Sequence, residues 1–158
     1  RSRLETGNAY AIWTDQVAPQ LDQYMGRVFE RMCFEAYEQL SNRGRLPIAV
    51  DWSRWEGQDR DRRSIEIDVV AKLNDGRILT GEVKWSSSPV RPHVHTQLLR
   101  NLDYLASSGQ GWAKDALNPQ TSAGHLYLSA AGFSPEFKAL ARADERVVLL
   151  DLEDLYSL

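Results

Sequence analysis

The sequence predicts an α/β domain in which a central mixed β-sheet is flanked by helices. Three observations carry that reading. One long stretch repeats its apolar residues every 3.6 positions, two successive runs repeat them every second position across a turn signal, and helix-like and strand-like segments then alternate to the end. The element order is α-β-β-β-α-β-α-β.

Over residues 20–40, Leu21, Met25, Val28, Phe29, Met32, Ala36 and Leu40 lie close to one helical stripe, which predicts the longest helix of the chain. Asn42-Arg43-Gly44 ends it. Leu46-Pro47-Ile48-Ala49-Val50 reads as a short strand and Ser53 to Arg63 as a charged loop. Ile65, Ile67, Val69 and Ala71 then alternate with Glu66, Asp68, Val70 and Lys72; after Asn74-Asp75-Gly76 a second alternating run extends from Ile78 to Trp85. Beyond Ser86-Ser87-Ser88-Pro89, the stripe Val94, Leu98, Leu102 and Leu105 predicts a helix over residues 92–106. Residues 107–123 read as a loop or a ragged helix. His125 to Ser129 is a strand, Pro135 to Ala143 a helix, and Val147 to Leu150 an apolar strand before a terminal acidic turn.

The 158 residues, 26% charged and 42% hydrophobic, make one domain and are too apolar for intrinsic disorder. No run approaches the roughly 18 uncharged apolar residues of a membrane span, and the start lacks a basic-then-apolar signal pattern. These features predict a soluble cytoplasmic protein without a membrane partner. Cys33 is the sole cysteine, which excludes an internal disulfide and a cysteine-rich zinc site and fits a reducing compartment. The chain opens on Arg1 rather than Met, so we expect either a piece of a longer protein or a chain that has lost its start, with residues 1–19 as a linker or N-terminal extension and 20–158 as the domain. Homo-oligomerisation is left open. The net charge of −3 argues against a purely electrostatic nucleic-acid binder. Charge is uneven, however: residues 43–100 hold 11 Lys and Arg against 8 Asp and Glu, and the remainder holds 8 against 14. The middle is the face for an anionic partner.

Turn length fixes hairpin register. A two-residue Asp75-Gly76 turn would leave neither face apolar. A three-residue Asn74-Asp75-Gly76 loop, with Gly76 left-handed, sets Val69 opposite Gly81, Ile67 opposite Val83 and Ile65 opposite Trp85, making one face wholly apolar. On the other face it sets Asp68 opposite Glu82 and Glu66 opposite Lys84. Facing side chains on antiparallel neighbours have Cβ atoms about 4.5–5.5 Å apart, so two carboxylates there repel unless something compensates. Mg²⁺ would compensate, being held by one or two carboxylates plus waters and phosphate oxygens. Lys84 would project beside the ion, where it could orient a water or neutralise charge on phosphorus. The plainer reading is a polar hairpin face with a Glu66–Lys84 ion pair.

The strings Ile65-Glu66-Ile67-Asp68-Val69-Val70 and Gly81-Glu82-Val83-Lys84-Trp85 resemble the core signature of the PD-(D/E)xK nuclease superfamily. Together with Tyr24-Met25-Gly26-Arg27-Val28-Phe29-Glu30 and Ser129-Ala130-Ala131-Gly132-Phe133, they are similar to an uncharacterised domain found C-terminal to P-loop ATPases of archaea and bacteria. The resemblance spans residues 20–155. It implies a restriction-endonuclease-like core, with Asp68 and Glu82 as ligands of Mg²⁺ (or Mn²⁺), Lys84 as the catalytic lysine, Glu30 as an additional acid near the metal, the Val83 carbonyl as a further ligand and Gln97 as a site glutamine. The first acid lacks the family's preceding proline. No Gly-x-x-x-x-Gly-Lys-[Ser/Thr] occurs, so the ATPase portion must lie outside this chain.

Glu30 has an alternative as the partner of Arg27 at i−3. His93 and His95 diverge if they stand on a helix, which favours phosphate contact over a shared metal. His125 is structural. Trp52, Trp55 and Trp85 flank the site as base-stacking or, more ordinarily, core residues. Arg54, Arg60, Arg62 and Arg63 of the charged loop are candidates for a nucleic-acid backbone, or else a solvated loop with Glu56, Asp59 and Asp61. The function expected is metal-dependent phosphodiester hydrolysis, with DNA as the substrate. The alternatives are a silent nuclease-fold module that regulates its ATPase or binds partners, and an unrelated α/β domain matching by chance.

Overall fold

The computed structural model describes residues 9–156. A helical N-terminus comprises α1 (Ala9–Ile12), a π-helical segment (Trp13–Val17) and α2 (Ala18–Asn42). The expected linker is thus helical over its described part. The chain continues through β1 (Ala49–Gln58), β2 (Ser64–Leu73), β3 (Ile78–Lys84), α3 (His93–Ser107), α4 (Gly111–Leu117), β4 (Ser122–Ser129), α5 (Pro135–Ala143), β5 (Val147–Asp151) and α6 (Leu152–Tyr156). The ragged segment contains α4, and the acidic C-terminus forms α6. No described helix is long and apolar enough to cross a membrane.

The five strands lie in sequence order in one mixed sheet. β1, β2 and β3 are antiparallel, whereas β3, β4 and β5 are parallel. Parallel neighbours need crossover connections, which α3–α4 and α5 supply. One core buries Phe29, Cys33, Ala36, Tyr37 and Leu40 of α2 against Val69, Ala71, Leu73, Leu79 and Val83; the other packs Leu98, Leu102 and Leu105 of α3 with Phe137 of α5 against Ile65, Ile67 and Tyr127. Helices therefore cover both faces.

β1 starts later and runs longer than the sequence suggests, beginning at Ala49 rather than Leu46. The expected loop from Ser53 is strand as far as Gln58, because its residues pair with β2 and its tryptophans have partners on opposite faces. Trp52 meets Phe34 and Tyr37 at ring separations of 5.4 and 5.0 Å, and Trp55 meets Trp112 at 6.1 Å. The remaining turn is tight: Asp59 accepts the backbone N–H groups of Asp61 and Arg63 through one carboxylate oxygen, each at 2.8 Å.

The interior on the α3 side carries a polar row. Thr80 Oγ1 bonds His125 Nδ1 at 2.8 Å, and His95 Nδ1 bonds the Tyr127 hydroxyl. Burial holds His125 down at about 4, with nearby His95 adding to the effect. An unfolded imidazole protonates near 6.5. This group therefore contributes stability above 6.5 that is lost as pH falls toward 4. Urea midpoints should decline over that window, and a flat profile would contradict the assignment.

Candidate active site

The hairpin turn is the three-residue one. Leu73 donates its N–H to the Arg77 carbonyl at 2.9 Å, closing Asn74-Asp75-Gly76, and Gly76 has a φ of 87°. The β2–β3 ladder sets Lys72 opposite Ile78, Ala71 opposite Leu79, Val70 opposite Thr80 and Val69 opposite Gly81, as the turn requires.

The ladder then ends, and the expected ladder pairs Asp68–Glu82, Ile67–Val83, Ile65–Trp85 and Glu66–Lys84 do not form. The cause lies on the other edge of β2. Ser53 pairs with Val70 but Trp55 pairs with Ile67, so Asp68 and Val69 together oppose Arg54 alone. Such a bulge puts an extra residue into one strand and re-aims the side chains around it. Val69, Ala71 and Leu73 consequently enter the α2 core while Ile65 and Ile67 enter the α3 core. The wholly apolar hairpin face expected from strict alternation is split in two.

The bulge also turns Asp68 into the opening between the parting strands. Its Oδ2 accepts the Val83 N–H at 2.9 Å, taking the place of a ladder partner. The Asp68 carboxyl lies within hydrogen-bonding reach of Glu82. Both line an open cavity of about 490 Å³ with Lys84, His93 and Gln97. Lys84 Nζ is 3.9 Å from Glu82 Oε2, and its side chain is 43% exposed against 10% for Glu82. Burial, and secondarily Asp68, push the Glu82 carboxyl well above its ordinary range.

Glu30, on α2, lies near Asp68 in a separate cavity lined also by Arg54, and does not border the cavity of Glu82 and Lys84. Both its oxygens accept from Arg54 Nη1, at 3.2 and 3.3 Å, which replaces the alternative pairing with Arg27. Burial, followed by the charge of Asp68, raises the Glu30 carboxyl, and Arg54 counters that rise. Arg54 is a β1 residue rather than a loop residue, and it also holds Glu66 at 2.9 Å and Glu56 at 3.1 Å. Its guanidinium is committed to carboxylates. Sequence reasoning missed this because the loop assignment hid Arg54's strand position opposite the bulge.

Gln97 lines the cavity and donates to Asn101 at 3.0 Å. Val83 is buried, with its N–H held by Asp68. His93 borders the cavity whereas His95 is buried, so the two histidines diverge as expected for a helix. Arg60 and Arg63 border an adjoining cavity; Arg62, with a φ of 59°, is not among its lining residues. Trp85 packs on Phe29 at 5.6 Å and keeps 41% of its surface exposed.

Asp68 and Glu82 supply hard oxygen donors, and among the described residues no group of three or more His, Cys, Asp or Glu is placed to hold one metal ion. A two-carboxylate site completed by waters and phosphate suits Mg²⁺ or Mn²⁺, so the donor set fits the ion. The Glu82 shift has a stability consequence. Because the folded carboxyl protonates more readily than the unfolded one, the metal-free protein loses stability as pH rises above about 4.5, by roughly 1.4 kcal/mol per pH unit while the shift lasts. Glu82→Gln should therefore be more stable than wild type at pH 8 in chelator and close to it at pH 4. Equal urea midpoints at pH 8 would refute the raised Glu82 carboxyl.

The fold and site define an α/β domain in which a mixed five-stranded sheet brings Asp68, Glu82 and Lys84 to one open cavity. Residues 1–96 match the family model DUF234, described as archaeal and bacterial proteins of unknown function, and the chain belongs to that family. The fold is similar to a repair endonuclease from Pyrococcus abyssi (TM-score 0.46, 14% identity, covering 78% of this chain and 46% of that one). It is also similar to the apo form of EndoMS (TM-score 0.44, 15% identity, covering 78% and 45%). The chain thus spans about half the length of these structures. No curated protein matches it significantly.

Proposed function

We propose that this domain is a Mg²⁺- or Mn²⁺-dependent nuclease that hydrolyses phosphodiester bonds in DNA. The observation that carries the reading is the juxtaposition of Asp68, buried Glu82 and half-exposed Lys84 in one open cavity. Keeping two carboxylates together in a partly buried site costs stability, and a bound cation offsets that cost.

In this reading Asp68 and Glu82 hold the ion, with the Val83 carbonyl as a further donor. When bound, the ion supplies Lewis-acid stabilisation of the phosphoryl oxygens and a more acidic water. Lys84 Nζ orients the attacking water and offsets negative charge gathering on phosphorus. Glu30, fixed by Arg54, stands on the opposite side of Asp68, where it can accept a hydrogen bond from water. Gln97 positions the substrate from α3. Arg60, Arg62 and Arg63 contact the phosphate backbone, while Arg54 serves the acids. The domain works in the cytoplasm as part of a protein that also carries a P-loop ATPase.

The test is cleavage of plasmid, linear duplex and single-stranded DNA by metal-loaded protein, with calorimetry of Mn²⁺ binding. Mn²⁺ uptake and cleavage that both disappear in Glu82→Ala support the reading. Absence of both in wild type refutes it in favour of a silent module, and cleavage that survives Glu82→Ala refutes the site.

A further inference from the structure

The cavity at the acid pair does not end there. A second cavity of about 610 Å³ shares Ser64, Gln97 and Asn101 with it, so the two form one continuous groove. One wall is a single face of α3. His93, Gln97, Arg100, Tyr104 and Ser107 recur at spacings of three and four, which places them in a row, with Asn101 beside Arg100. At 1.5 Å per residue this row is about 21 Å long. The opposite wall is the tight β1–β2 turn with Arg60 and Arg63. The apolar stripe Leu98, Leu102 and Leu105 accounts for the buried side of α3 but not for this polar row.

Taking the proposed hydrolase as its basis for ligand class, we infer that this groove holds a short single-stranded tract of nucleic acid and leads it away from Asp68 and Glu82 along α3. Arg60, Arg63 and Arg100 contact phosphates, Asn101 donates or accepts at a base or sugar, and the ring of half-buried Tyr104 stacks on a base. The charge balance selects a single strand over a duplex. The three arginines are accompanied by Asp59, Asp61 and Asp103, with Asp59 occupied by its turn and Asp61 lying 3.9 Å from Arg63. Three cations so offset are too few for the dense phosphates of a duplex but suit a short tract whose remaining affinity comes from stacking.

The experiment is fluorescence anisotropy of a labelled oligodeoxynucleotide, single-stranded or annealed, with Ca²⁺ replacing Mn²⁺ so that binding is read without cleavage. For three phosphate contacts, log K against log salt should slope at about −2 for the single strand. Arg100→Gln should make the slope shallower by about 0.7. Tyr104→Ala should weaken binding on the order of tenfold with the slope unchanged, and Tyr104→Phe should restore it.

Wild-type affinity in Arg100→Gln and Tyr104→Ala, alongside cleavage by the wild type, overturns the groove and leaves the hydrolase reading standing. Binding that depends on both residues, with no cleavage in Mn²⁺, supports the groove and overturns hydrolysis. Absence of single-strand binding, or tighter binding of the duplex, overturns the proposal.

Discussion

Asp68→Asn is expected to abolish metal-dependent cleavage, lowering its rate by at least about 10³-fold, while leaving the metal-free protein as stable as wild type or more so. The two effects have one cause. Asp68 contributes an anionic oxygen to the proposed ion and adds to the repulsion that raises Glu82. Losing an electrostatic contact made at the reacting centre typically costs about 10²–10³-fold, and losing a metal ligand adds to that. The asparagine retains a carbonyl to accept the Val83 N–H, which Asp68 now takes at 2.9 Å, so the strand junction persists. Cleavage rates measured beside urea midpoints in chelator check both halves. A variant that cuts normally removes Asp68 from the chemistry; one that is inactive but markedly destabilised shows a structural role instead.

Gly81→Ala is expected to be the most destabilising single substitution in the Gly81-Glu82-Val83-Lys84-Trp85 string. A Cβ at residue 81 would stand 1.9 Å from the backbone oxygen of Leu126 on β4, and neither atom belongs to a flexible side chain. Relief requires moving two paired strands apart in the middle of the sheet, where Gly81 lies between Val69 and Leu126. Overpacking of well-fitted interiors commonly costs about 1–3 kcal/mol, and a backbone collision belongs at or above the top of that range. Chemical denaturation would read the loss directly, and a loss below about 1 kcal/mol would contradict the close approach. The glycine before the acid thus has a packing reason independent of catalysis. It lets β3 and β4 come together and carries Glu82 and Lys84 to the α3 side.

These expectations separate stability from chemistry. The burial of Glu82 is costly to the metal-free fold above its unfolded range, whereas Gly81 supports the fold. Substitutions at the acids should remove activity without loss of structure, and substitution at Gly81 should remove structure first. Such a division is common where a site stores electrostatic repulsion that a ligand relieves.

What the sequence determined by itself is local. A loop of fixed length sets the register of the strands it joins, so Asn74-Asp75-Gly76 was sufficient to align β2 with β3 from Lys72–Ile78 to Val69–Gly81. Apolar periodicity likewise marked α2, α3 and α5, because each helix buries one face. Alternation could not reveal the bulge at Asp68 and Val69, whose existence depends on packing two different cores against opposite sides of one strand. Only the tertiary structure sent Ile65 and Ile67 to the α3 side, Val69 to the α2 side and Asp68 into the gap between strands. The same long-range packing made a strand of the charged segment containing Arg54, and aligned the polar face of α3 with the β1–β2 turn as one groove. Neighbouring residues specify a turn, but a two-sided sheet is specified only by what covers each side.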